Sequence, residues 1–474
     1  MKRWLIFLLI TLSSVSMLRA QKLWTLQNCI DYALANNIQI KQQKLSENLA
    51  AVNLWESKAA LFPNLGAYAS QAYNNGKTID MFTNQFATST VQSDNFYLST
   101  SVTLFSGFQL LNSVKQSRIN LQSNKYDLDK MMNDISLNLA TAYLQILYNI
   151  ELLNNAESQV KVTKLQVART QKLVDAGTSA KGPLLNLQAQ AATEDVTVVT
   201  AKNNLDLSYL TLKQMLDLGA TDTFDIDIPV LAVPTEATLL TKPDAIYALA
   251  LTTRPEIKSA ELQLQSSQLG LSIAHGLRSP ILSLRASYGT GYSGASKRLK
   301  SYQYSGLDTV GYTFQSNPIP VVVPGFDYQY ETIPFKNQFN DNMNKSISLT
   351  LTIPIFDNLK TMATISKAKI GITSAEYTLQ TAKNTLYKSI EQAYEDATAA
   401  LNKYNSSLKS VEALKESFKY TEQKFDVGMV TTTDYDASKN SLEEAESNLL
   451  QAKYEYVFRL KVIDFYMGKP IELK

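Results

Sequence analysis

Apolar and polar residues alternate along two short stretches of the chain, residues 96–104 and 347–355. A period of two places alternate side chains on opposite faces of a β-strand. Partner strands are expected at 65–73 and 281–292. The pattern therefore predicts β-hairpins at 65–105 and 281–356, with strands near the roughly 9–11 residues that cross a membrane as β structure. The apolar faces carry Phe96, Leu98, Thr100, Val102 and Leu104, and Ile347, Leu349, Leu351, Ile353 and Ile355.

One face of each strand is apolar and the other carries small polar residues, which suits a strand with lipid outside and water inside. A soluble hairpin half-buried on a core shows the same alternation, so that alternative stays open on the strands alone. Two hairpins cannot close a barrel, and in a membrane their outer strands would leave unpaired backbone groups. If the strands lie in a membrane, several copies of the chain must share one barrel.

Long stretches without proline predict unusually long helices. No proline occurs between Pro63 and Pro183 or between Pro354 and Pro470, so helices can run from about 107 to 176 and from about 358 to 427. Seventy helical residues reach roughly 105 Å. Shorter pieces at about 183–218 and 243–279 are expected to form a returning limb of similar summed length.

A seven-residue hydrophobic column runs along each long helix. This period predicts left-handed supercoiling against a neighbouring helix. An ordinary two-stranded coiled coil would show it too. A second column beside the first is mostly small or polar, which predicts close approach and a wet face. The apolar columns are Leu139, Ile146, Leu153, Val160, Val167 and Val174, and Ile390, Ala397, Tyr404, Val411, Phe418 and Phe425. The polar column is Ile135, Ala142, Asn149, Ala156, Thr163 and Thr170.

Each long helix is interrupted by a glycine, in KLVDAGTSAKGPLL from Lys172 and in KFDVGMVTTTDYD from Lys424. Gly177 and Gly428 are suited to end a helix in the left-handed conformation. Pro183 fits the first turn of a returning helix. In the second stretch residues 431–433 offer a cap and Asp434 an acid near the helix N-terminus. Both stretches are therefore predicted to be the tips of helical hairpins.

Short strings recur in the two halves of the chain, which indicates a tandem duplication. The change of spacing from 217 to 251 places 34 extra residues between Pro280 and Phe356. These are expected to lengthen an outward loop rich in aromatic residues and proline. Ala33-Leu34, Ile40-Lys41, Leu45 and Pro63 recur at a spacing of 217, and Phe105, Ala142-Tyr143, Asp175, Gly177 and Ala201 at a spacing of 251.

The duplication divides the chain into five expected segments. Residues 1–20 read as a signal peptide, with a basic start, an apolar stretch and cleavage after Ala20. Residues 21–218 form the first repeat, and 219–242 a linker or equatorial segment. Residues 243–469 form the second repeat, and 470–474 a tail.

Composition narrows the function classes. The whole chain has 45 basic and 43 acidic residues, and removing Lys2, Arg3 and Arg19 leaves 42 against 43, so nothing favours nucleic acid. Beyond the signal no run of 18 apolar residues predicts a transmembrane helix. The single His275 and single Cys29 predict no metal site, no cofactor and no internal disulfide. The sequence therefore gives no support to an enzyme.

Four strings stand in matching order along the chain: Ala33-Leu34-Ala35-Asn36-Asn37, Phe62-Pro63, Thr253-Arg254-Pro255-Glu256 and Val427-Gly428-Met429-Val430. With the duplicated order of helix, hairpin and helical hairpin, the mature chain resembles the TolC family of outer-membrane efflux proteins. The resemblance implies a mainly α fold with a small transmembrane β part. It also implies a homotrimer whose twelve strands close one barrel in outer-membrane lipid and whose coiled-coil helices form a periplasmic tunnel.

The resemblance also assigns roles at the tips. The family's tips meet a periplasmic adaptor that links the channel to an inner-membrane pump. Carried over by position, the docking residues are Gly177, Thr178, Ser179, Gly428, Met429 and Val430. Asp434 matches one acidic aperture ring of the family, while Ala437 stands where the second ring would be. In some members a tyrosine and an arginine near the second tip hydrogen-bond to the first hairpin and hold the entrance shut. The matching positions here are Phe425 and Val430, with Pro183 on the receiving side, and none of them can make those side-chain bonds, so this latch is expected to be absent.

We therefore expect a passive outer-membrane exit duct of a tripartite efflux or type I secretion system. The rival interpretation is an exported coiled-coil interaction or structural protein. The paired strands of membrane length favour the duct, because a rod would not need them.

Overall fold

The computed structural model of the protein describes residues 23–80, 83–87, 90–219, 224–229 and 241–471. The expected signal peptide at 1–20 lies outside these residues. Most of the expected linker at 219–242 and the last three residues of the expected tail lie outside them as well.

Helices and strands follow one another in the predicted order. Within the described residues they are α1 (Leu26–Asn36), α2 (Ile38–Ala59), β1 (Asn64–Asn74), β2 (Thr78–Ile79), β3 (Phe86–Ala87), β4 (Val91–Ser106), α3 (Gln109–Asp175), α4 (Lys181–Met215), α5 (Pro243–Thr253), α6 (Pro255–Gly276), β5 (Ile281–Ser293), β6 (Lys297–Tyr312), β7 (Pro320–Thr332), α7 (Phe335–Asp341), β8 (Asn344–Thr352), α8 (Lys360–Asp426) and α9 (Thr432–Tyr466).

The chain folds into two compact units. The helical unit comprises the described parts of Met1–Val52, Arg118–Ser266 and Ile372–Lys474, and the sheet unit comprises those of Asn53–Ser117 and Ser267–Gly371. All four tip-forming helices end in the helical unit, and all the strands belong to the sheet unit.

Two helices have the predicted exceptional length. Helices α3 and α8 each contain 67 residues, which is about 100 Å at 1.5 Å per residue. The returning helices α4 and α9 contain 35 residues each. The piece expected at 243–279 is broken in two, because Arg254 adopts an extended conformation before Pro255, and Pro255 begins a new helix.

The apolar columns pack as predicted, most tightly at one end. Leu139, Ile146, Ile390 and Ala397 are at most 1% exposed, whereas the column members nearer the tips are mostly half-buried. The prediction that the neighbouring column forms a wet face is wrong at four positions. Ile135, Asn149, Thr163 and Thr170 are buried. Asn149 and Thr163 satisfy their polar groups on helix α4, at Asn204 and Glu194.

Strands β1, β4, β5 and β8 form one antiparallel sheet in that order, so β1 and β8 are its edges. Leu98 pairs with Ala67 on one side and Tyr288 on the other, and Ala286 pairs with Ile347. Both predicted hairpins are therefore present and lie side by side.

Two details of the strand prediction are wrong. A bulge after Thr103 pairs Phe105 with Leu282, so Phe105 rather than Leu104 continues the apolar face of Val102. Strand β8 ends at Thr352, and the expected strand residues Ile353 and Ile355 lie beyond it. Pro354 lacks the N–H group that further pairing would need.

The long connection between β5 and β8, which includes the 34 extra residues, forms a hairpin of its own. Strands β6 and β7 form a two-stranded ribbon between β5 and β8, with register shifts at three points. Four of its aromatic residues, Tyr302, Tyr304, Phe326 and Tyr328, pack together, and the rings of Tyr302 and Phe326 lie 5.6 Å apart. At its base the buried Gln338 of α7 accepts from Ser293 N and donates to Ser293 O, both at 2.9 Å.

Candidate functional site at the helical tips

The first tip, residues 176–180, joins α3 to α4. Gly177 has a φ of +72°, and a β-carbon there would meet nothing within 4 Å. The amide of Thr178 donates to Leu173 O at 2.9 Å and that of Gly177 to Val174 O at 3.0 Å, which satisfies the last carbonyls of the helix. Pro183 is the third residue of α4, within its first turn as predicted.

The second tip, residues 427–431, joins α8 to α9 in the same way. Gly428 has a φ of +76°, and Met429 N donates to Lys424 O at 2.8 Å. Thr431 caps α9: its hydroxyl accepts from Asp434 N, and Asp434 Oδ2 accepts from Thr431 N, both at 3.2 Å. The Thr431 hydroxyl also donates to Asp434 Oδ2 at 2.7 Å, and this bond, together with the one from Thr431 N, holds the pKa of the Asp434 carboxyl below its usual range. Asp434 is therefore an exposed negative charge fixed at the start of α9.

A cleft of about 570 Å³ lies between the two tips. Thr178 and Ser179 of the first tip line it together with Gly428 and Val430 of the second. The predicted docking residues Gly177 and Met429 lie outside its lining, and so does Asp434. Met429 is 74% exposed. The structure therefore brings four of the six expected docking residues to one cleft and leaves Met429 projecting beside it.

Phe425, which stands where some family members carry the latching tyrosine, takes part in aromatic packing instead. Phe425 stacks on Tyr435 with ring centroids 4.6 Å apart, and Phe418 lies 5.4 Å from the same ring. Tyr435 is only 1% exposed, and burial raises the pKa of its hydroxyl to about 12. These three rings join α8 to α9 just behind the second tip.

A buried charged cluster, which sequence reasoning missed, lies further along the same helices. Lys439 of α9 is 2% exposed, and its Nζ lies 2.9 Å from Glu194 Oε1 of α4 and also bonds Thr163 Oγ1 of α3. Glu443 Oε1 is 3.1 Å from the same Nζ, although that contact lacks hydrogen-bond geometry. Thr163 Oγ1 lies 2.6 Å from Glu194 Oε2. Lys439 thus ties the second repeat to both helices of the first hairpin.

Negative groups outnumber positive ones in this cluster. Burial raises the pKa of Asp436 and of Glu443, Lys439 partly offsets both shifts, and Glu194 adds to them. Asp436 Oδ1 is buried without a hydrogen-bond partner among the described residues. Two carboxyl groups are therefore harder to ionise here than in the unfolded chain.

Asp436→Asn is expected to make the helical unit more stable at pH 7 and less sensitive to pH. A carboxyl whose pKa is raised by folding costs stability in full above the raised value, and this penalty shrinks as pH falls and is gone near the unfolded pKa of about 4. The stability advantage of Asp436→Asn over the parent should therefore be largest at pH 7 and shrink as pH falls toward about 4. Thermal unfolding of both proteins at a series of pH values in this range measures the advantage. An advantage that is absent at pH 7, or that does not change with pH, would contradict the assignment.

Sequence patterns gave little sign of this cluster. Lys439 and Glu443 have the i, i+4 spacing of an ordinary solvated pair on a helix surface. Glu194 lies 245 residues away, and only the packing of α4 against α9 brings it to Lys439.

Three further findings concern the lone cysteine, metal sites and membrane-spanning helices, all away from the tips. Cys29 is free and fully buried, and burial raises the pKa of its thiol to about 12. The described part of the chain contains no group of three or more His, Cys, Asp or Glu residues arranged to hold a metal ion. None of the described helices combines the length and apolar character needed to cross a membrane.

Comparisons with known proteins agree with this architecture. The family model for outer membrane efflux proteins matches residues 29–217 and 246–469. Outer membrane protein TolC of Escherichia coli K12 is 24% identical over 443 residues, which cover 92% of this chain and 80% of that protein. The alkaline protease secretion protein AprF of Pseudomonas aeruginosa is 25% identical over 158 residues, 33% of this chain and 32% of that protein.

A solved structure shares the fold over almost the whole length. The outer membrane protein VceC of Vibrio cholerae superposes with a TM-score of 0.74 at 14% identity, covering 94% of this chain and 97% of that one. The family match spans both repeats of helices and strands. This chain therefore belongs to the family of outer membrane efflux proteins.

Proposed function

We propose that the protein is the outer-membrane exit duct of a tripartite efflux or type I secretion system, which conducts substrates passively from an adaptor and pump. The observation that carries this proposal is the sheet of β1, β4, β5 and β8, in a chain whose family is named for outer-membrane efflux. On its apolar face Ile347, Leu349 and Leu351 are 80%, 63% and 59% exposed. Such a face suits lipid.

The other face of the sheet is concave and carries mostly small or polar side chains. A cavity of about 390 Å³ is lined on that side by residues that include Asn64, Ser99, Ser287 and Ser346. Strands that curl around a polar face and present apolar side chains outward suit a water-filled barrel. This arrangement favours the duct over an exported coiled-coil rod, which needs neither face.

Open edges support a trimer. Strands β1 and β8 have neighbours on one side only, and backbone groups left unpaired in a bilayer cost several kcal/mol each. Three copies of a four-stranded sheet supply twelve strands, which is enough to close around an aqueous lumen.

We further infer that the tips receive the periplasmic adaptor. Thr178, Ser179, Gly428 and Val430 meet at one cleft, and Gly177 and Met429 flank it. The two glycines leave open space above the backbone, so a partner can approach the chain closely. Residues 21–218 and 243–469 then act as two equivalent repeats, each of which offers one tip.

Planar bilayer recording tests the duct. The purified protein is expected to open long-lived channels whose conductance scales with salt concentration. Heat-denatured protein serves as the control. A protein that inserts into vesicles but opens no channels would contradict the proposal.

Asp434→Ala is expected to weaken block of the channel by multivalent cations added on the side of the tips. Three Asp434 carboxylates in a trimer would attract such cations, and the capping hydrogen bonds keep them ionised at neutral pH. The concentration of Co(NH₃)₆³⁺ that halves the single-channel current should rise about tenfold. Asp175→Ala, which removes an acid from the end of α3, is the matched control. Unchanged block in Asp434→Ala would leave Asp434 only a helix cap.

A further inference from the structure

The polar face of the sheet carries a single charged residue. Register places Asn64, Ser101, Arg285 and Ser348 in one row across the four strands. Arg285 pairs with Ser101 on one side and with Ser348 on the other, and it lines the concave cavity. Among the described strand residues on this face, every other side chain is uncharged. They are Asn64, Gly66, Tyr68, Ser70, Ala72, Asn74, Val91, Ser93, Asn95, Tyr97, Ser99, Ser101, Thr103, Ser106, Ile281, Ser283, Ser287, Gly289, Gly291, Ser293, Asn344, Ser346, Ser348, Thr350 and Thr352.

Arg285 has no counter-charge within the described chain. It is exposed and forms no ion pair with the described residues. Asp94 of β4 lies on the opposite face, where it accepts from Gln92 Nε2 at 3.0 Å. The Asp80 carboxylate, which follows β2, accepts from Ser293 Oγ at the far end of the polar face, eight residues along β5 from Arg285. A neighbouring copy would present the same strands, none of which carries an acid on this face, so barrel closure through the sheet edges brings no strand carboxylate to Arg285.

Closure of the trimer would place three such guanidinium groups around one lumen. Twelve strands spaced about 4.8 Å apart and tilted by about 40° enclose a barrel roughly 24 Å across at the Cα positions. Arginine side chains that point inward from three equivalent positions would then lie roughly 10 Å from one another, which is close to the Debye length of about 8 Å at physiological salt. The electrostatic fields of the three groups would therefore overlap across the lumen, because salt screens them only partly over this distance.

We propose that Arg285 forms a cationic ring in the barrel lumen that selects for anionic cargo. This inference rests on the proposed trimeric duct and adds the substrate class that its barrel favours. A guanidinium group carries a delocalised positive charge and donates paired hydrogen bonds to carboxylate, phosphate or sulfonate groups. In a row of serines and asparagine it is the one group that distinguishes an anion from a neutral solute. Solutes with a negative group are drawn through this section, and multivalent cations are retarded.

Reversal potentials in planar bilayers test the ring. Parent, Arg285→Ser, Arg285→Lys and Lys345→Ser channels are compared in a tenfold KCl gradient. Arg285→Ser should lower the ratio of chloride to potassium permeability about threefold at low salt, and the difference should shrink in 1 M salt. Arg285→Lys keeps the charge and should keep the parent ratio.

Lys345→Ser is the matched control. Lys345 lies in β8 of the same sheet but on the opposite face, where its Nζ is 5.7 Å from the Tyr288 ring. The Lys345→Ser substitution removes one positive charge, as Arg285→Ser does, but it leaves the polar face unchanged. The permeability ratio of the Lys345→Ser channel should therefore stay at the parent value. Channels with normal conductance whose ratio is unchanged in Arg285→Ser, or shifted equally in Lys345→Ser, would overturn the ring and leave the duct intact. Parent protein that opens no channels would overturn the duct itself.

Discussion

Lys439→Ala is expected to destabilise the helical unit by about 3–5 kcal/mol, because it leaves buried carboxyl groups without their cation. Glu194 is 6% exposed and has Lys439 Nζ 2.9 Å away. Removal of the ammonium group forces Glu194 either to stay charged without a counter-ion or to take up a proton. The apparent Tm in detergent should fall by roughly 5–15 °C. Proteolysis should become faster at residues 172–185 and 424–434, because α9 loses its tie to α3 and α4.

Two further variants make this result specific. Lys419 forms an exposed i, i+3 pair with Glu416 at 3.5 Å, so Lys419→Ala should change stability by less than about 0.5 kcal/mol. Combining Lys439→Met with Glu194→Gln removes the two most buried charges and should restore part of the loss, since only the half-buried Asp436 and Glu443 then remain without the cation. A Lys439→Ala protein as stable as the parent would show that water already reaches this cluster.

Gly428→Arg and Val430→Arg are each expected to abolish efflux while the protein still reaches the outer membrane. Both positions line the cleft between the tips, and a bulky cation there would be buried unpaired when an adaptor docks. A loss of several kcal/mol of docking free energy lowers affinity more than a hundredfold. Minimum inhibitory concentrations of pump substrates, together with outer-membrane yield, measure the effect.

Gly468→Arg is the matched control for the glycine variant. Gly468 follows the end of α9, has the same φ of +76° and has open space around its α-carbon. The two substitutions therefore carry equal backbone strain, and only one lies at a tip. Equal loss of efflux in both would indicate damage to the backbone conformation, and normal efflux in Gly428→Arg would contradict docking at the tips.

Local chemistry made the tips predictable from the sequence. A helix that must end and reverse within a few residues needs a left-handed residue, which favours glycine, and a residue to cap the next helix. Gly177, Gly428 and Thr431 have those roles in the structure. The long helices were predictable for a related reason, because the absence of proline and a sustained heptad column both act along the chain.

Features that depend on distant pairing were not predictable. The Lys439 cluster joins residues up to 280 positions apart, and each of them alone looks like a surface residue. The bulge after Thr103 is a property of two paired strands, so alternation along β4 alone assigned Leu104 to the wrong face. The β6–β7 ribbon has three register shifts and prolines at Pro320 and Pro324, which break the period of two that identifies a strand.

The mass and shape of the detergent-extracted protein show whether it forms a trimeric outer-membrane duct. Light scattering with correction for bound detergent gives the oligomeric mass, and negative-stain images give the outline. We expect a trimer of the 52.8 kDa chain, less the expected signal peptide, with a barrel at one end and a long tube. A monomer or dimer that is released without detergent and has a filamentous outline would contradict it.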